Sequence, residues 1–186
     1  MDAVEAILDF FERSGGGLYL GEQVTQLQHA LQAAQLAARD GAAEALIGAA
    51  LLHDIGHLMA GGEEDHPAAD LRHEELGASW LRERFPEEVW QPVRLHVAAK
   101  RYLCATDPGY RERLSAASLH SLRLQGGPMK GEEIREFEAS PFRQAAVQLR
   151  LWDEAAKDAA ADPPGISTYR ELLTRLLSEN RTPHRG

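Results

Sequence analysis

The sequence is poor in cysteine, in long apolar runs and in positive charge. Its 186 residues include one cysteine, Cys104, which excludes disulfide frameworks and cysteine-based zinc sites. The longest apolar stretch, residues 42–52, is too short to cross a bilayer. Acidic residues outnumber basic ones, 29 to 20, for a net charge of −9. This charge argues against nonspecific binding to nucleic acids or membranes.

The amino-terminal segment and the scarcity of cysteine predict where the protein works. Residues 1–13 are acidic and lack the basic region and the cleavage site of a secretory signal. A single cysteine also suits a reducing compartment. We therefore expect a cytoplasmic protein, with a monomer as the simplest oligomeric state.

Signals for β-strands are nearly absent, and apolar residues recur at helical spacing. The predicted helices cover residues 2–14, 22–40, 42–60, 70–84, 87–104, 109–120, 131–137, 140–159 and 167–179. Segment 42–60 is apolar almost all round, which predicts a central helix. The pattern predicts an all-α, single-domain helical bundle. The main domain is expected to cover residues 1–160, followed by a linker, a helix and a polar tail over 161–186.

A histidine–aspartate pair lies at the end of the apolar run. His53 and His57 are four residues apart and point to one side of a helix, with Asp54 flanking both. Two imidazoles and a carboxylate are costly to bury unless something pairs them, and a metal ion does so. This donor mixture suits iron, manganese or zinc. The segment therefore predicts a metal site rather than a hydrogen-bonded histidine pair.

Six segments together resemble a family of HD-domain oxygenases. They are YLGEQVTQLQH (19–29), LLHDIGH (51–57), RHEELGASWL (72–81), HVAAKRY (96–102), LSAASLHSLRLQGGPM (114–129) and LRLWDEAAK (149–157). They are similar, in order and spacing, to mixed-valent diiron oxygenases that cleave the carbon–phosphorus bond of 1-hydroxyphosphonates. The resemblance implies an HD-type helical bundle and a cofactor of two iron ions, Fe(II) and Fe(III).

The resemblance also implies the metal ligands. One iron is expected to be held by His29, His53, Asp54 and Asp153, and the other by His57, His73 and His96, with Asp54 bridging. A phosphohydrolase with one metal needs only the first set, so the three further histidines imply a second metal. The predicted helix 22–40 places His29 two turns after Glu22, on the same side.

The expected substrate residues follow from the same comparison. Lys100 lies one turn after His96, so its ammonium can reach the anionic group of a bound substrate. Tyr19 is implied to be a removable iron ligand, and Glu22 to contact the amino end of the substrate. These three are the expected catalytic residues. The remaining expected phosphonate-pocket residues are Ser118, Gln125 and Arg150.

The activity that the resemblance implies uses O₂ to cleave the C–P bond of a 1-hydroxy-2-(trimethylammonio or amino)ethylphosphonate. The products would be glycine betaine or glycine, together with phosphate. The implied partner reaction is a 2-oxoglutarate-dependent hydroxylase that supplies the 1-hydroxyphosphonate. Two alternatives stay open: an HD-type metal-dependent phosphohydrolase of a nucleotide or phosphate ester, and a catalytically silent ligand sensor. The extra histidines with Tyr19, Lys100 and Gln125 favour the oxygenase.

Overall fold

The computed structural model describes residues 3–19, 21–60 and 72–180, and these form an all-α, single-domain bundle, as predicted. The helices are α1 (Ala3–Ser14), α2 (Gln26–Arg39), α3 (Glu44–Leu52), α4 (Ile55–Met59), α5 (His73–Arg82), α6 (Glu87–Thr106), α7 (Pro108–Glu112), α8 (Ala116–Leu124), α9 (Glu132–Glu138), α10 (Arg143–Ala155), a 3₁₀ helix (Ile166–Tyr169) and α11 (Arg170–Glu179). Over the same residues the only β-pairing is an isolated bridge between Leu18 and Thr25.

Helix α3 lies at the centre of the bundle, as its apolar composition predicts. Its last four residues, 49–52, are fully buried. The helix packs against α2, α6, α10 and α11, so no side of it faces solvent over its carboxyl-terminal half. The carboxyl-terminal end of α3 therefore delivers the histidine–aspartate pair into the interior.

The prediction of one continuous helix over residues 42–60 is wrong, because the helix is interrupted at the histidine–aspartate pair. Helix α3 ends at Leu52, and α4 begins at Ile55. Asp54 has left the helical conformation, with φ −102° and ψ 15°. Its carbonyl accepts a hydrogen bond of 2.9 Å from the His57 amide, which starts α4. No glycine or proline lies at this interruption, so the periodicity of apolar residues alone predicts one continuous helix.

Helix α2 begins four residues later than predicted, because Thr25 caps it. Thr25 Oγ1 accepts from the Gln28 amide at 3.1 Å, and Gln28 Oε1 accepts from the Thr25 amide at 2.9 Å. This reciprocal pair is a capping box. Glu22 consequently lies in a short loop before α2, closed by the bridge between Leu18 and Thr25. The prediction that Glu22 and His29 share one helix face is wrong.

Other helix bounds differ at capping residues. The predicted helix 109–120 divides into α7 and α8, since the Ser115 side chain accepts from the Ser118 amide at 3.1 Å and starts a new helix. The helix predicted over 140–159 is the shorter α10. Residues 70 and 71 of the predicted helix 70–84, and the loop predicted at 61–69, lie outside the described residues.

The carboxyl-terminal segment packs onto the bundle. Leu172, Leu173 and Leu176 of α11 are buried, and the helix contacts α1 and α3. The division of the chain after residue 160 stays a prediction, and residues 181–186 of the expected tail lie outside the described part. Within the described ranges, every helix is too short or too polar to traverse a bilayer.

Two glycines allow α4 and α5 to approach closely. A Cβ built on Gly56 would lie 2.0 Å from the His73 carbonyl oxygen and 3.0 Å from the Gly77 amide nitrogen. A Cβ on Gly77 would in turn lie 3.2 Å from the Gly56 amide nitrogen. Since backbone atoms are in the way, a methyl group at position 56 has to push the two helices apart. This contact places His57 beside His73.

We expect Gly56→Ala to lower the free energy of unfolding by about 1–3 kcal/mol, because the added methyl group overpacks the α4–α5 contact. Denaturant unfolding of the chelator-treated protein measures this change. Gly16→Ala is the matched control: Gly16 is exposed and its added Cβ meets no atom within 4 Å. A Gly56→Ala variant as stable as the control would contradict the close-packing argument.

Candidate metal centre

The first cluster of potential ligands joins α2, the end of α3 and α10. Ligand atoms of His29, His53 and Asp153 lie within 4.8 Å of one another. His29 Nδ1 donates to the Ala156 carbonyl and His53 Nδ1 to the Ala50 carbonyl, each at 2.8 Å. These bonds place the proton on Nδ1 and leave a lone pair on Nε2. The two Nε2 atoms face each other at 3.1 Å, where a shared cation removes the repulsion between them.

The second cluster lies on the other side of the helix break. Ligand atoms of Asp54, His57 and His73 also lie within 4.8 Å of one another. His96 from α6 joins them, with its Nε2 at 3.1 Å from His73 Nε2. His96 Nδ1 donates to the Val93 carbonyl at 2.7 Å, which again directs the lone pair of Nε2 into the site. The imidazole rings of His57 and His73 stack with their centroids 3.8 Å apart.

Asp54 connects the two clusters through its two carboxylate oxygens. Oδ2 lies 3.3 Å from His53 Nε2 and 3.7 Å from His29 Nε2. Oδ1 lies 3.4 Å from His73 Nε2 and 3.6 Å from His96 Nε2. One carboxylate is therefore presented to four imidazole nitrogens, two on each side. This is the arrangement that a carboxylate bridging two cations requires.

The buried oxygens of the site fit a metal. Asp54 Oδ2 and Asp153 Oδ1 accept no hydrogen bond from any of the described residues. A buried carboxylate oxygen without a hydrogen bond is costly unless a cation lies against it. The seven predicted ligands are all buried, and the mixture of imidazole and carboxylate suits iron, manganese or zinc.

The protonation of the site favours metal binding. Burial, followed by the charge of His73, lowers the pKa values of His57 and His96 to about 3, so both are neutral. Burial raises the pKa of Asp54, but the opposing effects of His53 and the other neighbouring histidines are together stronger. The resulting pKa of Asp54 lies well below the usual range. Burial lowers the pKa of His53, and the carboxylates of Asp54 and Asp153 raise it to about 10. In the metal-free protein, the carboxylates of the site therefore attract a cation, which is the proton bound by His53.

Arg150 holds the carboxylate of Asp153 in place. Its Nη1 donates to Asp153 Oδ2, its Nη2 to Glu154, and its Nε to the Tyr110 hydroxyl at 2.7 Å. A longer bond of 3.3 Å runs from Nη2 to Ser118 Oγ. The predicted role of Arg150 as a phosphonate contact stays a prediction. Its observed contacts give it a positioning role, because they turn Asp153 Oδ1 towards the histidines.

Tyr19 covers the first cluster. Its ring stacks on the imidazole of His29, with centroids 3.8 Å apart and an interplanar angle of 12°. Burial, followed by the charges of Asp153 and Asp54, raises the pKa of the phenol well above its ordinary value. The side chain is therefore neutral in the metal-free protein and lies beside His29, and its role as a removable iron ligand stays a prediction.

The remaining predicted substrate residues lie around the carboxyl-terminal half of α6. Lys100 is buried, with 3% of its surface exposed, and its Nζ donates to Ser121 Oγ at 2.8 Å. Ser118 Oγ donates to Glu154 Oε2 at 2.8 Å. Gln125 ends α8, and its buried Oε1 has no hydrogen-bond partner among the described residues. A buried amide oxygen without a partner can accept a hydrogen bond from a ligand.

Glu22 has a partner that the sequence analysis missed. Its Oε1 lies 3.3 Å from Nζ of Lys157, just beyond the end of α10. The three-residue spacing of Glu154 and Lys157 in the sequence could signal their own ion pair, but the contact with Glu22 carried no local signal. Ser121 and Tyr110, which contact Lys100 and Arg150, carried no such signal, because only the fold brings them there.

One further histidine, His120, is among the described residues and belongs to neither cluster. His120 is exposed on α8. His66 and His184, also left out of the predicted ligand set, lie outside the described residues.

The HD domain model matches residues 27–153, a span that includes all seven predicted metal ligands. The chain belongs to the HD family. A [1-hydroxy-2-(trimethylamino)ethyl]phosphonate dioxygenase (glycine-betaine-forming) of Leisingera caerulea is 45% identical over 95% of this chain and 91% of its own. A hydroxymethylphosphonate dioxygenase of Gimesia maris is 44% identical, with coverage of 96% and 90%. The uncharacterized protein L432 of Acanthamoeba polyphaga mimivirus is 36% identical, with coverage of 95% and 83%.

We expect His57→Ala to lose about one of two bound metal equivalents, because it removes a donor from the second cluster only. Metal analysis of the purified, iron-loaded protein measures the loss. His120→Ala, which removes an exposed histidine, is the matched control and should keep the wild-type metal content. Retention of two equivalents by the His57→Ala protein would refute the proposed second cluster.

Proposed function

We propose that this protein is a diiron oxygenase that uses O₂ to cleave the carbon–phosphorus bond of a 1-hydroxyphosphonate. The observation that carries the proposal is the carboxylate of Asp54, with a pair of histidine nitrogens near each oxygen. Two relatives that align over nearly the whole chain, and are named phosphonate dioxygenases, support the choice of reaction. The proposed substrate is a 1-hydroxy-2-(trimethylammonio or amino)ethylphosphonate, giving glycine betaine or glycine.

The proposed metal ligands are those of the two clusters. His29, His53, Asp54 and Asp153 hold one iron, and His57, His73 and His96 hold the other, with Asp54 shared. Bound as a mixed-valent Fe(II)/Fe(III) pair, the two irons supply the activation of O₂. The role of the polypeptide is to fix the ligands. Backbone carbonyls bonded to Nδ1 orient three of the histidines, and Arg150 orients Asp153.

Lys100 is proposed to bind the phosphonate. It lies one turn beyond His96 and is buried, so its positive charge acts on the anion with little screening by water. Gln125 is proposed to donate from its side-chain Nε2 to a phosphonate oxygen, and Ser118 to line the same pocket. Tyr19 is proposed to keep its place on His29 until the substrate displaces it, which limits the access of O₂ to the site without substrate.

The overall reaction balances with O₂ as the only co-reactant. The C1–H and C–P bonds break, and C1 is oxidised to a carboxylate. One oxygen atom of O₂ enters the carboxylate and the other enters phosphate, with release of a proton.

Because the substrate needs a hydroxyl group on C1, we infer that a hydroxylase, of the 2-oxoglutarate-dependent class, acts before this enzyme. The cytoplasm is the proposed compartment, given the single cysteine, and a monomer is the simplest oligomeric state.

The test uses the purified protein loaded with iron under reducing conditions. We expect a mixed-valent diiron EPR signal that changes when a 1-hydroxyphosphonate is added, and O₂-dependent release of phosphate. Lys100→Met should raise KM by about 10- to 100-fold, because a buried charge that pairs the phosphonate is lost. Lys130→Met is the matched control, since Lys130 is exposed.

The phosphohydrolase alternative makes the opposite prediction. It requires phosphate release from a phosphate ester under anaerobic conditions, with no consumption of O₂. Hydrolysis of phosphate esters together with an EPR signal that does not respond to 1-hydroxyphosphonates would overturn the oxygenase proposal.

A further inference from the structure

The ammonium group of Lys157 faces Glu22, the carboxylate that is expected to contact the cationic end of the substrate. Its Nζ lies 3.3 Å from Glu22 Oε1 and 3.1 Å from Glu154 Oε2, and donates to Ser118 Oγ at 2.8 Å. It also donates to Ser115 Oγ at 3.2 Å. The side chains of Lys157 and Glu22 are 11% and 16% exposed. An ion pair so far removed from water is screened much less than a surface pair.

The backbone on both sides of Lys157 is held by α2. The carbonyl of Ala156 accepts from His29 Nδ1 at 2.8 Å. On the other side, Asp158 exchanges two hydrogen bonds with the Gln32 side chain, of 2.9 and 3.1 Å. The position of the ammonium is therefore tied to a proposed metal ligand, and Lys157 cannot move its main chain away without disturbing His29.

The charges of this region leave Glu22 with one counter-ion. Arg150 donates to both Asp153 and Glu154, so its charge is already shared between two carboxylates. Among the described residues, Lys157 is the cation that forms an ion pair with Glu22. A positively charged substrate group that approaches Glu22 therefore meets a carboxylate whose charge Lys157 already offsets in part, since Lys157 also lies beside Glu154.

We propose that Lys157 is a specificity-determining residue that competes with a cationic substrate group for Glu22. This inference rests on the proposed function. A 1-hydroxyphosphonate with a trimethylammonium group has to displace Lys157 from Glu22, whereas hydroxymethylphosphonate, which has no such group, leaves the pair intact. The internal pair thereby lowers the preference of the site for substrates with a cationic group, and widens its range to phosphonates without one.

The test compares two substrates on the iron-loaded full chain: [1-hydroxy-2-(trimethylamino)ethyl]phosphonate and hydroxymethylphosphonate. Lys157→Met should lower the KM for the trimethylammonium substrate relative to the KM for hydroxymethylphosphonate by about tenfold, because Glu22 is then free to pair with the trimethylammonium group. The effect should fall on KM rather than on kcat, since the metal ligands are unchanged. Lys157→Arg should restore the wild-type ratio, and Lys130→Met should not alter it.

A double-mutant comparison separates competition from general damage. In a Glu22→Gln background, Lys157→Met should no longer change the KM ratio, because the contested charge is gone. The iron content of each variant is measured alongside. If wild type releases phosphate from both substrates and Lys157→Met leaves the ratio unchanged, this inference alone is overturned. If wild type releases phosphate from neither, the proposed function and this inference fail together.

Discussion

The carboxylate of Asp54 faces two pairs of histidines, and the rest of the structure is arranged around it. Its oxygens lie 3.3–3.7 Å from four Nε2 atoms contributed by α2, the end of α3, α5 and α6. These distances depend on the break between α3 and α4, which takes Asp54 out of the helical conformation while His53 stays at the end of α3. The break lets His53 face the first cluster while Asp54 directs one carboxylate oxygen to each cluster.

A second set of contacts keeps the donors oriented before any ligand binds. Three of the histidines donate Nδ1 to backbone carbonyls, and Asp153 accepts from Arg150, so ring rotation and carboxylate rotation are both restricted. The buried residues of α3 surround these donors, and the close contact of Gly56 with His73 fixes the neighbouring helices. Packing of small and apolar residues therefore has a direct chemical consequence, because it sets the separation between imidazoles on different helices.

Local patterns predicted the all-α fold, the central position of α3 and the buried group of His53, Asp54 and His57, since helical period and apolar runs are properties of short stretches of sequence. The other four expected ligands came from the resemblance to the oxygenase family. These patterns failed where a side-chain cap, rather than a glycine or proline, sets the position at which a helix begins. Thr25 starts α2 after Glu22, and Ser115 divides α7 from α8. The Lys157–Glu22 pair was also missed, because it joins residues 135 positions apart and depends on the tertiary fold.

The turn from Asp153 to Lys157 makes three different contributions within five residues: a ligand carboxylate, the carbonyl that fixes His29, and an ammonium. Helix α10 directs Asp153 and ends at Ala155, and hydrogen bonds to His29 and Ser118 fix the Ala156 carbonyl and the Lys157 ammonium that follow it. A one-residue insertion here would misdirect all three together. This short stretch is thus where the chain tolerates changes of length least, whereas residues 159–165, outside any helix and without ligands, can absorb them.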